Sequence, residues 1–156
     1  MIYVIDTSAL VDAWSKWYSP RSHPSFWEYL DELAQSNRAT IPDAVLFELQ
    51  EIDDSLFRWV KEREEYICTL SSTPIQEIVK YISNTYPNLR SAGTPSKNFA
   101  DPIVIAMAKY FNCAVVTHEQ ATGNLNGPKM PDVCKQERIR VMQFHHLVMQ
   151  QGWTFR

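Results

Sequence analysis

Ile2-Tyr3-Val4-Ile5 is an apolar run of β-branched and aromatic residues. It reads as a short strand buried on both faces, the kind found inside a parallel sheet. Asp6 follows at once, then the hydroxyls of Thr7 and Ser8. In an open α/β sheet this address is the carboxyl end of a strand, where ligands bind. A charge there is costly unless a metal ion, hydrogen bonds or a helix start compensates it.

The rest of the chain alternates in the same way. Ala9 to Trp14 reads as a short helix capped by Thr7 or Ser8. A loop rich in Pro, Ser and aromatics spans 15–24. Ser25 with Glu28 fits a capping box for a helix to about Ser36. Arg38 to Ile41 reads as a strand, and Pro42 suits the first turn of the next helix. Val45, Leu49 and Ile52 form its apolar stripe, and Glu48 borders that stripe. Leu56 to Glu65 reads as helix with a solvated charged face. A buried strand is expected over 66–70. The helix that follows is opened by a Thr73–Gln76 capping box with Pro74 in its first turn. Residues 87–98 read as a polar loop. Asp101-Pro102 opens a central helix to Phe111, with Asn112 as its stop. A buried strand over 113–117 leads into His118 and Glu119. A long loop is expected from Gln120 to Cys134, then an edge strand over 140–142 and a helix over 143–151. This alternation predicts an α/β fold, a three-layer α-β-α domain with a central parallel sheet, as one domain over residues 1–156.

Four acids share one edge of such a sheet. Asp6 ends the first strand, Glu48 borders a helix after the second, Asp101 stands at a helix mouth, and Glu119 lies past a later strand. Clustered carboxylates repel one another and raise their own pKa values unless cations hold them ionised. An all-oxygen set suits a hard cation, Mg²⁺ or Mn²⁺. Each acid also has a plainer reading. Asp101 could cap its helix, Glu48 could sit on an ordinary amphipathic edge, and Glu119 could be a loop residue. Ser8 is either an orienting group for Asp6 or a helix-cap hydroxyl.

The net charge of −3 argues against nucleic-acid binding by bulk basicity. It does not argue against a nuclease, because bound divalent cations would more than offset it at the site. No apolar run reaches the ~20 residues of a membrane helix, and no basic leader precedes the first strand. Cys68, Cys113 and Cys134 lack metal-ligand spacing and read as buried reduced thiols. The expectation is a cytoplasmic protein without a membrane segment. Lys16, Arg21, Arg90, Lys97 and Lys129 fall in predicted loops, as solvated cations or phosphate contacts. Trp14, Trp17, Tyr18 and His23 could pack a core edge, stack bases or dock a partner. His145 and His146 are neighbours on a helix and so are expected to face different ways.

The blocks Val4-Ile5-Asp6-Thr7-Ser8-Ala9-Leu10, Val45-Leu46-Phe47-Glu48-Leu49, Phe99-Ala100-Asp101-Pro102-Ile103-Val104-Ile105-Ala106 and Val115-Val116-Thr117-His118-Glu119 occur in this order. The set resembles PIN-domain ribonucleases, among them the VapC-like toxins of bacterial toxin–antitoxin pairs. It departs from them at Glu119, where most such toxins have Asp, and in the length of the loop from Gln120 to Cys134. The resemblance implies a PIN fold and a metal-dependent endoribonuclease. Asp6, Glu48, Asp101 and Glu119 would be its metal-binding and catalytic acids, with Ser8 beside them. It implies single-stranded or looped RNA as substrate, a cognate antitoxin as partner and a homodimer as a common assembly. A catalytically silent PIN-like module that binds RNA or protein is the alternative. Phosphatases of the haloacid-dehalogenase type fit poorly, because Ser8 stands where they need a second acid. Receiver domains fit poorly too, since their reactive Asp ends a mid-chain strand.

Overall fold

Every strand pairing in the sheet is parallel. Tyr3–Ile5 (β1) pairs with Ala39–Pro42 (β2) on one side and Ala114–Val116 (β4) on the other. Beyond them lie Cys68–Thr69 (β3) and Val141–Met142 (β5), giving the order β3-β2-β1-β4-β5. The structure is a computed structural model and describes residues 1–89 and 100–155. β1, β2 and β4 are buried along their whole length, as double-sided apolar runs require. The chain builds outward from β1 to β3, then returns to place β4 on the other side of β1. That reversal opens a crevice at the carboxyl ends of β1 and β4. The expected α/β fold, a parallel sheet flanked by helices, is the fold observed.

The helices are Thr7–Asp12 (α1), Pro24–Gln35 (α2), Asp43–Ile52 (α3), Asp54–Lys61 (α4), Glu64–Ile67 (α5), Thr73–Thr85 (α6), Ala100–Phe111 (α7), Met130–Gln136 (α8) and Phe144–Gln151 (α9). α7 packs against β1, β2 and β4. Its Val104, Ile105, Met107 and Ala108 are buried, in keeping with a helix apolar around most of its girth. Asn112 ends it at φ 56°, a left-handed conformation that Asn tolerates.

Several local expectations are corrected. Asp6, rather than Thr7 or Ser8, precedes the first turn of α1, and its side chain makes no capping bond. The helix is short because the chain then widens into a π-helical turn, Ala13–Trp17. There Tyr18 N–H donates to Ala13 O at 2.8 Å, five residues back, while Ser15 Oγ donates to Val11 O at 2.7 Å. The boxes expected at Ser25 and Thr73 do not form: α2 follows His23 and α6 follows Ser72, neither with a side-chain cap. Pro42 ends β2 instead of opening α3. Ile52 is exposed, so the stripe of α3 rests on Val45 and Leu49. The strand expected over 66–70 shrinks to β3, because α5 takes Tyr66 and Ile67, and Leu70 is exposed. The loop expected from Gln120 to Cys134 stops early at α8, which Pro131 helps to open. Phe99, Arg90, Lys97 and most of the loop over 87–98 lie outside the described residues.

No helix among the described residues is long and apolar enough to cross a membrane. None of the three cysteines is paired; Cys113 and Cys134 are buried, whereas Cys68 is only half-buried.

Candidate active site

The site grows from the register of β1 and β4. Ile5 lies opposite Val116, so the next residues, Asp6 and Thr117, leave the sheet side by side. Asp6 N–H donates to Val116 O at 2.9 Å, continuing the ladder. Two hydroxyls then converge on one carboxylate oxygen. Ser8 Oγ donates to Asp6 Oδ2 at 2.8 Å, and Thr117 Oγ1 donates to the same atom at 2.9 Å. The two hydroxyls also lie 3.1 Å apart, within hydrogen-bond reach of each other. The hydroxyls are also acceptors: His118 N–H donates to Ser8 Oγ at 3.0 Å, and Glu119 N–H donates to Thr117 Oγ1 at 3.1 Å. Burial raises the pKa of Asp6, and these hydroxyls together with nearby N–H groups of Thr7 and Ser8 only partly oppose it.

The remaining acids come from two helices and the turn after β4. Thr7 Oγ1 donates to Glu48 Oε2 at 2.7 Å, which ties α3 to the start of α1. Asp101 sits in the first turn of α7 and is 3% exposed. Its Oδ2 is buried and has no hydrogen-bond partner. Burial, and then the charges of Asp6, Glu119 and Glu48, push its pKa up to about 9. Asp101 therefore feels the charges of the other three acids named in the sequence. Asp6, Asp101 and Glu119 are buried and Glu48 is half-buried. Cys134, fully buried, is held as a thiol by burial and by the charges of Asp6, Asp101, Glu119 and Glu137. Among the described residues, no three His, Cys, Asp or Glu side chains form a ready-made metal cage. The acids meet through their charges rather than as a closed set of ligands.

A buried carboxylate oxygen without a partner, under the charges of three more carboxylates, is unfavourable in a protein alone. The donor set is all oxygen and fits a hard divalent cation.

Three supporting groups escaped the sequence reading. Thr117 and Thr7 orient acids, but a Thr at a strand end or helix start carries no distinctive signal. Asp132 is buried and accepts from Thr122 N and Oγ1, Gly123 N and Lys129 N, so it folds the segment after Glu119 onto α8. Its spacing from Lys129, with Pro131 between, was a usable sign of a helix start. Of the cations, Lys16 pairs with Asp12 at 3.2 Å, while Arg21 is exposed and Lys129 half-buried. Trp14 packs edge-on against Trp27 at 4.8 Å, and Tyr18 stacks on Phe26 at 4.3 Å. His23 meets the Tyr18 ring. The rings of His145 and His146 lie 3.9 Å apart rather than facing different ways; in the first turn of α9 no preceding turn holds them apart.

The sequence matches the family model described as a domain of unknown function, DUF4411, over residues 3–155. The chain belongs to the DUF4411 family. No curated protein matches this sequence. The DUF4411 fold resembles two solved structures. One is VapBC2 from Rickettsia felis bound to a DNA fragment from its promoter, with 17% identity and a TM-score of 0.56 over 92% of this chain and 98% of that one. The other is FitAcB from Neisseria gonorrhoeae, with 15% identity and a TM-score of 0.51 over 90% and 96%. At such identities the likeness is one of fold, and it is the PIN-like fold expected from the sequence.

Proposed function

We propose that this DUF4411 protein is a metal-dependent endoribonuclease that cuts single-stranded or looped RNA. The observation that carries the reading is Asp101. Its buried Oδ2 lacks a partner while three other acids crowd it at the ligand-binding edge of the sheet. Asp6 and Asp101 would hold Mg²⁺ or Mn²⁺ directly, and Glu48 and Glu119 would complete its surroundings. Such a cation acidifies water and offsets negative charge on phosphate. Ser8 and Thr117 keep Asp6 in one rotamer, and Thr7 does the same for Glu48. The water oxygen bonds to phosphorus in line with the departing O3′. The P–O3′ bond breaks, the attacking water gives up a proton, O3′ takes one up from solvent, and the products are a 5′ phosphate and a 3′ hydroxyl.

The likeness to VapBC2 and FitAcB supports a further part of the reading, that the protein is a toxin with a cognate antitoxin covering the crevice. Incubating labelled single-stranded RNA with the protein and Mn²⁺ or Mg²⁺ tests the enzyme. Cleavage is expected to vanish with excess chelator and in Asp6→Asn. Activity that persists in both would contradict the site, and no cleavage across varied RNAs would favour the silent binding module.

A further inference from the structure

A cavity of about 560 Å³ opens beside the acids, within the size range of small-ligand pockets. Its walls come from the two segments that carry Asp6 and Glu119. Asp12 ends α1, the helix that begins directly after Asp6, and His118 and Gln120 are the two neighbours of Glu119. Trp17 and Tyr18, at the end of the π-helical turn, and Gln143 and His145, at the start of α9, line the remainder.

The chemistry of these walls is specific. Trp17 is 61% exposed, whereas Trp14 and Trp27 are packed against each other. An indole left in solvent at the rim of a cavity is a stacking surface. Tyr18 is fixed from behind by its stack on Phe26, and its backbone carbonyl accepts from Trp27 Nε1 at 2.6 Å. The wall therefore has a fixed base. His118 is also fixed: its Nδ1 meets Asp12 Oδ2 at 3.2 Å, and its Nε2 accepts from Phe144 N–H at 3.5 Å. With both ring nitrogens engaged, the His118 ring is held in place as part of the wall. Gln120 and Gln143 each carry an amide that both donates and accepts, which suits the edge of a base. The π-helical turn is the device that brings Trp17 and Tyr18 here, since the extra residue rotates the chain relative to α1.

We propose that this cavity receives one unpaired nucleobase of the RNA strand whose phosphate lies at the acids. The base stacks on Trp17 and presents its edge to Gln120 and Gln143. This rests on the ribonuclease reading for the identity of the strand. It adds the requirement that the substrate be unstacked at one position, and it makes these residues determinants of specificity. Amides, imidazoles and a carboxylate stand among the ring faces, so the walls offer hydrogen bonds that an apolar peptide would leave unmet.

The test is binding rather than cleavage. A fluorescein-labelled single-stranded RNA octamer is titrated into Asp101→Asn protein with Mn²⁺, followed by anisotropy. The same octamer is then used with an abasic nucleotide at each position in turn. Trp17→Ala is expected to weaken binding about tenfold, within the range for loss of one base stack, and Trp17→Phe to restore most of it. One abasic position should cost the Trp17-intact protein a similar factor and cost Trp17→Ala nothing further. Equal affinities for Trp17-intact and Trp17→Ala protein, or abasic losses of the same size in both, would overturn the proposal. The exposed position of Trp17 keeps the fold intact, which circular dichroism checks. Trp17-dependent binding with no cleavage by the wild-type protein would sink the nuclease and keep the base pocket. Cleavage with Trp17-independent binding would do the reverse.

Discussion

Thr117 Oγ1 donates to Asp6 Oδ2 at 2.9 Å and so joins the carboxyl ends of two neighbouring strands through a side chain. The same Oγ1 accepts from Glu119 N–H at 3.1 Å. One buried hydroxyl thereby fixes an acid from β1 and the backbone of an acid beyond β4. Thr117→Val keeps the shape and removes both bonds. It is expected to cost about 1–2 kcal/mol of stability, the penalty for a buried group left without its partner. It should also slow cleavage by more than tenfold. Thermal melts and initial rates measure the two effects; an unchanged rate would show that Asp6 needs no such support.

Metal-free protein should lose stability as pH rises. The folded-state pKa of Asp101 is about 9, above the usual value of 3.8. Between those values the native state holds a proton that the unfolded state has released. The linkage slope is therefore negative, so stability falls from about pH 4 and levels off above about pH 9. Asp6 shifts in the same direction through burial. Asp101→Asn removes the contribution of Asp101. Its metal-free melting temperature should exceed wild type at pH 8 and vary less with pH. A wild-type curve that rises over this range would contradict the crowding of the acids.

Asp132 behaves oppositely. Its carboxylate accepts from Lys129 N, Thr122 and Gly123 N. Burial opposes ionisation, but these bonds outweigh it and hold the pKa at about 2, below the usual 3.8. Its contribution is fully present above about pH 4 and is lost as pH falls toward 2. Asp132→Ala should lose stability at neutral pH and speed hydrogen exchange at Thr122 and Gly123. Exchange that stays slow would mean that other contacts hold the segment.

Adding Mn²⁺ or Mg²⁺ should reverse the pH trend of the wild type, because ionised acids bind the cation and protons compete with it. Melting temperature should rise with metal, and rise more at pH 8 than at pH 6. Asp101→Asn should show little of this gain. An equal metal-induced rise in wild type and Asp101→Asn would place the cation elsewhere.

The sheet was legible because burial on both faces leaves an unbroken apolar run, as in Ile2 to Ile5 and Ala114 to Val116. The candidate acids stood out by address: a buried run stops just before Asp6 and shortly before Glu119, Asp101 opens an apolar helix, and Glu48 borders a helix stripe. Caps were less so: Ser25 and Glu28 have the right spacing, yet Pro24 already supplies a helical first residue and α2 begins two positions earlier than a Ser25 cap requires. The strand over 66–70 failed because Tyr66 and Ile67 follow Glu64 and Glu65, whose charges favour a helix start. The π-helical turn and its exposed Trp17 were invisible as geometry, since a one-residue shift in hydrogen bonding has no compositional mark. The hydroxyl bonds to Asp6 needed the register of β1 against β4, a long-range fact.

The most direct measurement is the single-turnover rate of cleavage of single-stranded RNA by wild type and Asp101→Asn across a Mn²⁺ titration, with folding of both checked by circular dichroism. The account predicts metal-dependent cleavage to 5′-phosphate products by the wild type and a loss of at least a thousandfold, roughly 4 kcal/mol of transition-state stabilisation, in the folded variant. Metal-independent cleavage, or Asp101→Asn cutting at the wild-type rate, would contradict it.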